Sequence, residues 1–203
     1  MRSLIASRFD RVRDAGYTLI ELLVAMGIFV VVLSVVMGGI MVMTVDLRKT
    51  SNQTDASDQV RNAVLRMDKQ VRYADGIAPP KKSGSDWYVA FETTATGQNN
   101  CQGYRLLGAT DQLQYRKVDS NAGTDTGWRT IATNVVNDPT VAAQQPFILT
   151  VANGSTIMKQ QLEVHLWASK GSKSTGTAET DVVFVARNSD VNSESTVCSA
   201  LLP

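Results

Sequence analysis

Residues 14–39 read DAGYTLIELLVAMGIFVVVLSVVMGG, an apolar run broken near its start by one acid, Glu21. From Leu22 to Val45 no residue is charged. As a helix that segment is about 36 Å long at about 1.5 Å per residue. A hydrocarbon core is about 30 Å thick, so the segment is long enough to span it. Two other readings are weaker. A buried core helix is rarely apolar on every face over such a length. A secretory signal peptide has a shorter apolar region and an A-x-A-like site after it, whereas VMGGIMVMTVDLRK follows here. The flank before the run is basic, with Arg2, Arg8, Arg11 and Arg13 against Asp10 and Asp14. That asymmetry predicts a cytoplasmic N-terminus and an exported chain from Asp46 onward.

The whole chain has 203 residues, 20 basic and 19 acidic, for a formal net charge of +1. The balance gives no reason to expect a nucleic-acid partner. Beyond residue 16 there remain 16 basic and 17 acidic residues, so the basic excess belongs to the leader. Once a leader and a membrane segment are set aside, the length suffices for one modest domain.

A carboxylate inside a spanning segment costs about 2.5–3.5 kcal/mol on insertion scales, so such groups usually have a partner. A basic leader ending in Gly16, followed by Tyr17-Thr18-Leu19-Ile20-Glu21-Leu22-Leu23-Val24, resembles the class III signal of type IV prepilins and pseudopilins. The resemblance covers about Asp14 to Val36. It implies a prepilin peptidase that cuts between Gly16 and Tyr17 and methylates the new amine of Tyr17. The family's usual first residue is Phe; Tyr17 departs from it but keeps an aromatic ring. The resemblance also implies a role for Glu21 in assembly, as partner of the α-ammonium of a neighbouring subunit. Within one chain Tyr17 and Glu21 are four apart and would share a helix face. A Glu21 that snorkels to water is the plainer alternative.

Gly38-Gly39 lies where many major pilins carry a proline that loosens the helix. Two glycines cost about 1 kcal/mol each relative to Ala and serve the same loosening. Close helix packing in the membrane explains them equally well.

Beyond the membrane segment the helical pattern continues without Gly or Pro to Asp75. Val60, Ala63, Val64, Met67, Val71 and Ala74 fall at spacings that make one apolar stripe, opposite Asp58, Arg61, Arg66, Asp68 and Lys69. One helix over Tyr17–Asp75 is predicted, with Gly76 as its C-cap and Pro79-Pro80 forbidding continuation. Lys81–Asp86 reads as a loop. Strand-like runs follow at Trp87–Glu92, Gly103–Leu107, Gln112–Val118, Trp128–Ala132, Phe147–Ala152, Gln161–Ala168 and Asp181–Arg187. Turn signals separate them at Gly97–Asn100, Gly108, Ser120–Gly127, Asn153-Gly154 and Gly171–Gly176. Asn153-Gly154 reads as a hairpin turn. The tail Asn188–Pro203 is polar, with no strand signal until Val197. Helix first and strands after make an α+β layout, similar to the pilin architecture of a helix spine on an antiparallel sheet. The expected division is a leader over 1–16, a transmembrane half-helix over 17–45, an amphipathic exported half over 46–76 and a β-rich exported domain over 77–203. Val60–Ala74, Leu113–Arg116 and Trp128–Val135 are also similar to stretches of larger minor pilins and J-type pseudopilins.

Cys101 and Cys198 are the only cysteines, and both fall in the segment expected to be exported, where disulfides persist. A bridge within the chain is expected; free thiols or a bridge to another chain are the alternatives. No catalytic motif, cofactor site or metal site emerges: there is no G-x-S-x-G, H-E-x-x-H, phosphate loop or CxxC. His165, the only histidine, sits in a strand pattern. Asp119–Asp125 places oxygen ligands at alternate positions but lacks the later Glu of a calcium loop. Lys81-Lys82 and Lys170/Lys173 leave room for a DNA contact without arguing for one. The expected protein is a non-enzymatic minor pilin or pseudopilin. It would sit in the cytoplasmic membrane and then in a filament, with prepilin peptidase and other pilin subunits as partners. An unpolymerised single-pass protein presenting a binding domain, or an exported enzyme, is the competing reading.

Overall fold

The computed structural model describes residues 17–94, 100–119, 122–138, 140–169, 178–193 and 198–203. One helix, α1, runs from Leu19 to Val71. The chain divides after Leu47 into two compact units. In the first, α1 carries no charge from Leu22 to Val45, and the candidate span Leu19–Arg48 contains an 18-residue window of mean hydropathy 2.8, none of it buried. It passes through Gly38 and Gly39 as regular helix, with open space where a Cβ would stand.

In the second unit α1 becomes one-sided. Ala56, Val60, Ala63, Met67, Val71 and, just beyond the helix, Ala74 are buried, while Asp58, Arg61, Arg66 and Lys69 face out. Successive gaps of three and four keep these apolar residues on one stripe. The helix ends four residues earlier than the Gly and Pro signals predict. Tyr73 and Ala74 donate to carbonyls three residues back, a tightened last turn. Asp75 N–H then donates to Glu92 O at 2.9 Å, so the chain leaves the helix by joining a sheet. Gly76 is therefore not a cap but the first residue of strand β1 (Gly76–Ile77).

Two antiparallel sheets follow. In the larger, β3 (Asp86–Thr93), β4 (Asn100–Leu107) and β5 (Gln112–Asp119) form the centre. β1 and β2 (Lys81–Ser83) share one edge of β3, and β6 (Thr124–Asp125) and β7 (Arg129–Thr133) share one edge of β5. In the smaller, β9 (Gln161–Ala168) lies between β8 (Phe147–Thr150) and β10 (Ala178–Val185). The predicted loop at Lys81–Asp86 is thus largely strand. Ser83 pairs with Asp86 across a two-residue turn, and Gly84 at φ 61 supplies the positive φ that a tight hairpin needs. The opposite error occurs at Asn153-Gly154. Strands β8 and β9 do pair, with Thr150 opposite Gln161, but a ten-residue loop joins them. The Asn153 side chain accepts from the N–H groups of Ser155, Thr156 and Ile157 and shapes that loop. The tail contributes a 3₁₀ turn at Ser199–Leu201 and no strand among its described residues. The strand signal at Val197 and the turns at Gly97–Asn99, Ser120-Asn121 and Gly171–Gly176 lie outside the described residues.

One core lies between the helix stripe and the inner faces of both sheets. It includes Val60, Met67 and Val71 with Phe91, Tyr104 and Leu113 from the larger sheet and Leu162, Val164, Leu166 and Phe184 from the smaller. A buried amide ties the sheets together, Gln160 Oε1 accepting from Ile77 N–H at 2.7 Å, and Asn137 ties the connection between β7 and β8 to β9 through the backbone of Gln144, His165 and Trp167. This is the α+β, pilin-like layout expected from the sequence, with two sheets in place of one.

A polar chain fixes the helix on the larger sheet. The Tyr104 hydroxyl donates to Gln70 Oε1, Gln70 Nε2 donates to the Tyr115 hydroxyl at 3.2 Å, and that hydroxyl donates to Gln102 Oε1 at 3.1 Å. Burial pushes the Tyr104 phenol far above its ordinary range, and the neighbouring Tyr115 adds to the rise. Gln70→Leu leaves a buried hydroxyl without its acceptor. The expected cost is about 1–3 kcal/mol of stability. Urea unfolding of the disulfide-intact protein checks this, and an unchanged midpoint would show the network to be idle.

Candidate functional site

The candidate site is the start of α1. Leu19 is the first helical residue, and the Thr18 carbonyl accepts from Glu21 N–H at 3.0 Å and from Leu22 N–H at 3.3 Å. Glu21 thus occupies the first turn, where the helix presents roughly half a positive elementary charge. The order Thr18-Leu19-Ile20-Glu21 is also that of a capping box, a local reason for a carboxylate here that the hydropathy argument passes over. Tyr17 stands ahead of the helix and is 84% exposed. The expectation that Tyr17 and Glu21 share a helix face is corrected accordingly, because α1 begins two residues after Tyr17. Among the described residues no side chain pairs with the Glu21 carboxylate, and the apolar residues around it, Leu19, Ile20, Leu22 and Leu23, are all exposed. Gly16 lies outside the described residues.

A family model for the prokaryotic N-terminal methylation motif matches residues 11–41. The chain carries a type IV prepilin-like class III signal. The match covers Arg11, Arg13, Gly16, Tyr17, Glu21 and the apolar helix to Met41. It implies processing by a prepilin peptidase and pilin-type assembly. With the exposed apolar helix behind it, the signal fits a single-pass, membrane-anchored pilin. No curated protein and no solved structure matches the chain.

Away from the signal, Cys101 on β4 and Cys198 in the tail are joined as a disulfide, 97 residues apart in sequence, with S–S 2.01 Å. The bridge brings the tail onto the outer face of the larger sheet. There Leu201 is buried against Gly103, where an added Cβ would stand 3.2 Å from Leu201 Cδ1 and 3.4 Å from Trp128 Cη2. Trp128 is flanked by the Arg105 guanidinium at 4.5 Å and by the edge of Tyr88 at 6.3 Å. The polar composition of the tail conceals this docking, which rests on one leucine and one glycine.

The other residues raised by the sequence have ordinary partners. His165 lies between Asp181, 2.6 Å from Nδ1, and Glu163, 3.2 Å from Nε2, on the outward face of the smaller sheet. Asp119 accepts from Ala122 N–H at 2.9 Å. Asp125 takes both arms of Arg116, at 2.9 and 2.5 Å. The Arg116 guanidinium, and after it the Gly127 N–H, hold the Asp125 carboxyl down at about 2. Among the described residues no three His, Cys, Asp or Glu side chains are grouped to hold a metal. Lys170 and Lys173 lie outside the described residues.

Proposed function

We propose that the protein is a minor pilin or pseudopilin, a non-enzymatic subunit of a type IV pilus or a type II secretion-like filament. The methylation motif carries this reading, placed as it is at the head of an exposed apolar helix that continues into a folded domain. In this reading residues 1–16 are a leader removed on the cytoplasmic side. Tyr17 becomes the N-methylated terminus, and residues 17–45 hold the subunit in the membrane until it is extracted. Residues 46–76 and 77–203 are then exported as the filament's outward domain. Glu21 meets the ammonium of a neighbouring Tyr17, which neutralises both charges in a medium that screens them weakly.

N-terminal mass analysis of the membrane-fraction protein tests the reading. The expected terminus is N-methyl-Tyr17, and Gly16→Asp is expected to leave the leader attached. An intact leader on the unaltered chain, in cells with an active prepilin peptidase, would instead support a single-pass protein that never polymerises.

A further inference from the structure

Two faces of the folded domain are turned to solvent and are opposite in sign. On α1, Arg61, Leu65, Arg66, Lys69 and Tyr73 form an outward ridge that also carries Asp58 and keeps a basic excess, with Leu65 53% and Tyr73 58% exposed. A shallow depression of about 380 Å³ lies along it, lined by Asn62, Leu65, Arg66, Lys69 and Gln70. Asp68 is engaged by Arg72 on the same helix, and Arg66 lies over the Tyr115 ring at 5.4 Å. On the smaller sheet, strand alternation turns Glu163 and His165 of β9 outward with Glu179, Asp181, Val183 and Val185 of β10. Val183 is 54% and Val185 42% exposed. Glu163 and Asp181 flank His165 there, and Glu179 lies two residues from Asp181 along β10.

Both faces back onto the same core, the ridge through Val60, Met67 and Val71 and the sheet through Leu162, Val164 and Phe184. Among the described residues no ion pair joins the ridge to the carboxylate face within the chain. Each face combines charge with exposed apolar side chains, as an interface does.

We propose that the α1 ridge of one copy of this chain docks on the β9–β10 face of the next. Arg61, Arg66 and Lys69 would meet Glu163, Glu179 and Asp181, and Leu65 and Tyr73 would cover Val183 and Val185. The contact is heterologous, so each docked copy still presents one free ridge or one free face, and the array stays open. The proposal rests on the filament reading above, for which an open array is the required geometry, and it supplies that reading with a partner.

The test uses the full-length chain in membranes and zero-length carbodiimide cross-linking, which joins amines to carboxylates in contact. Arg61→Glu/Arg66→Glu gives a chain acidic on both faces that keeps the Lys69 amine on which the cross-link depends, and Glu179→Lys/Asp181→Lys gives one basic on both. Each alone is expected to lose about tenfold of the cross-linked dimer, and coexpression of the two is expected to restore it. Circular dichroism and an intact disulfide check the fold. Where a double change unfolds, the single changes Arg61→Glu and Glu179→Lys take its place. Undiminished cross-linking in either variant, or no recovery in the mixture of folded chains, overturns the proposal. So does a cross-linked species whose mass is not a multiple of this chain's, which would assign the faces to a different subunit. Because the readout covers processed and unprocessed chains alike, an uncut leader would sink the filament reading without changing this result.

Discussion

Glu21→Val is expected to yield a chain that inserts in the membrane and folds, and that is missing from filaments. Insertion survives because the helix beyond Glu21 carries no charge until Asp46 and gains an apolar residue. Folding survives because the first buried helix residue of the core, Ala56, lies 35 positions beyond Glu21. The loss of a first-turn carboxylate costs the helix about 0.3–1 kcal/mol. What Val cannot supply is a negative charge for a neighbour's amine. The quantity to measure is the variant's abundance in sheared filaments relative to membranes, beside the unaltered chain, and an unchanged ratio would end the docking role. Glu21→Gln separates the two reasons for an acid at this place. Glutamine also completes a capping box but carries no charge. If docking is electrostatic, Gln behaves like Val; if only the cap matters, Gln assembles.

The second large effect concerns the tail. Cys101→Ser/Cys198→Ser is expected to lower stability by about 2–5 kcal/mol, as removal of a bridge closing a long loop does in small exported domains. The denaturant midpoint of the double variant should fall to that of the unaltered protein in reductant. Equal midpoints for the variant and the oxidised protein would mean the tail docks without its bridge. Peptide mapping without reductant, on protein collected under alkylating conditions, tests the pairing itself.

Much of the fold can be read in the residues because the patterns are local. The alternation of Leu162-Glu163-Val164-His165-Leu166-Trp167 lies in a strand running Gln161–Ala168, as predicted. The helix stripe was legible for the same reason. Gly76 misled because a Gly before a Pro pair is a helix-stop signal, while the competing bond, Asp75 to Glu92, is made by a strand far along the chain. Lys81–Ser83 was unreadable as strand because it is exposed throughout and exists only by pairing with β3. The split into two sheets depends on distant contacts that no window of sequence contains. At the N-terminal site, the motif around Glu21 was plain, whereas Thr18 and its cap pattern were hidden under the membrane reading. The two charged faces were invisible for a different reason: their members are scattered from Arg61 to Asp181 and share a surface only after folding.

The bridge has a consequence for the order of events in a chain's life. Proteins are made N-terminal end first, at about 5–20 residues per second. Cys101 sits on β4, whereas Cys198 comes 97 residues later, after the last strand, β10. Strands β3, β4 and β5 are all synthesised well before the cysteine that staples them to the tail. Oxidation takes seconds to hours and is slower than helix or hairpin formation. The staple is therefore a late stamp on a finished sheet and no guide to its construction. A chain cut short before residue 198 can form every strand named above and never acquire it. Resistance to reducing-gel mobility shifts thus marks chains that stop short of Cys198 or have yet to be oxidised.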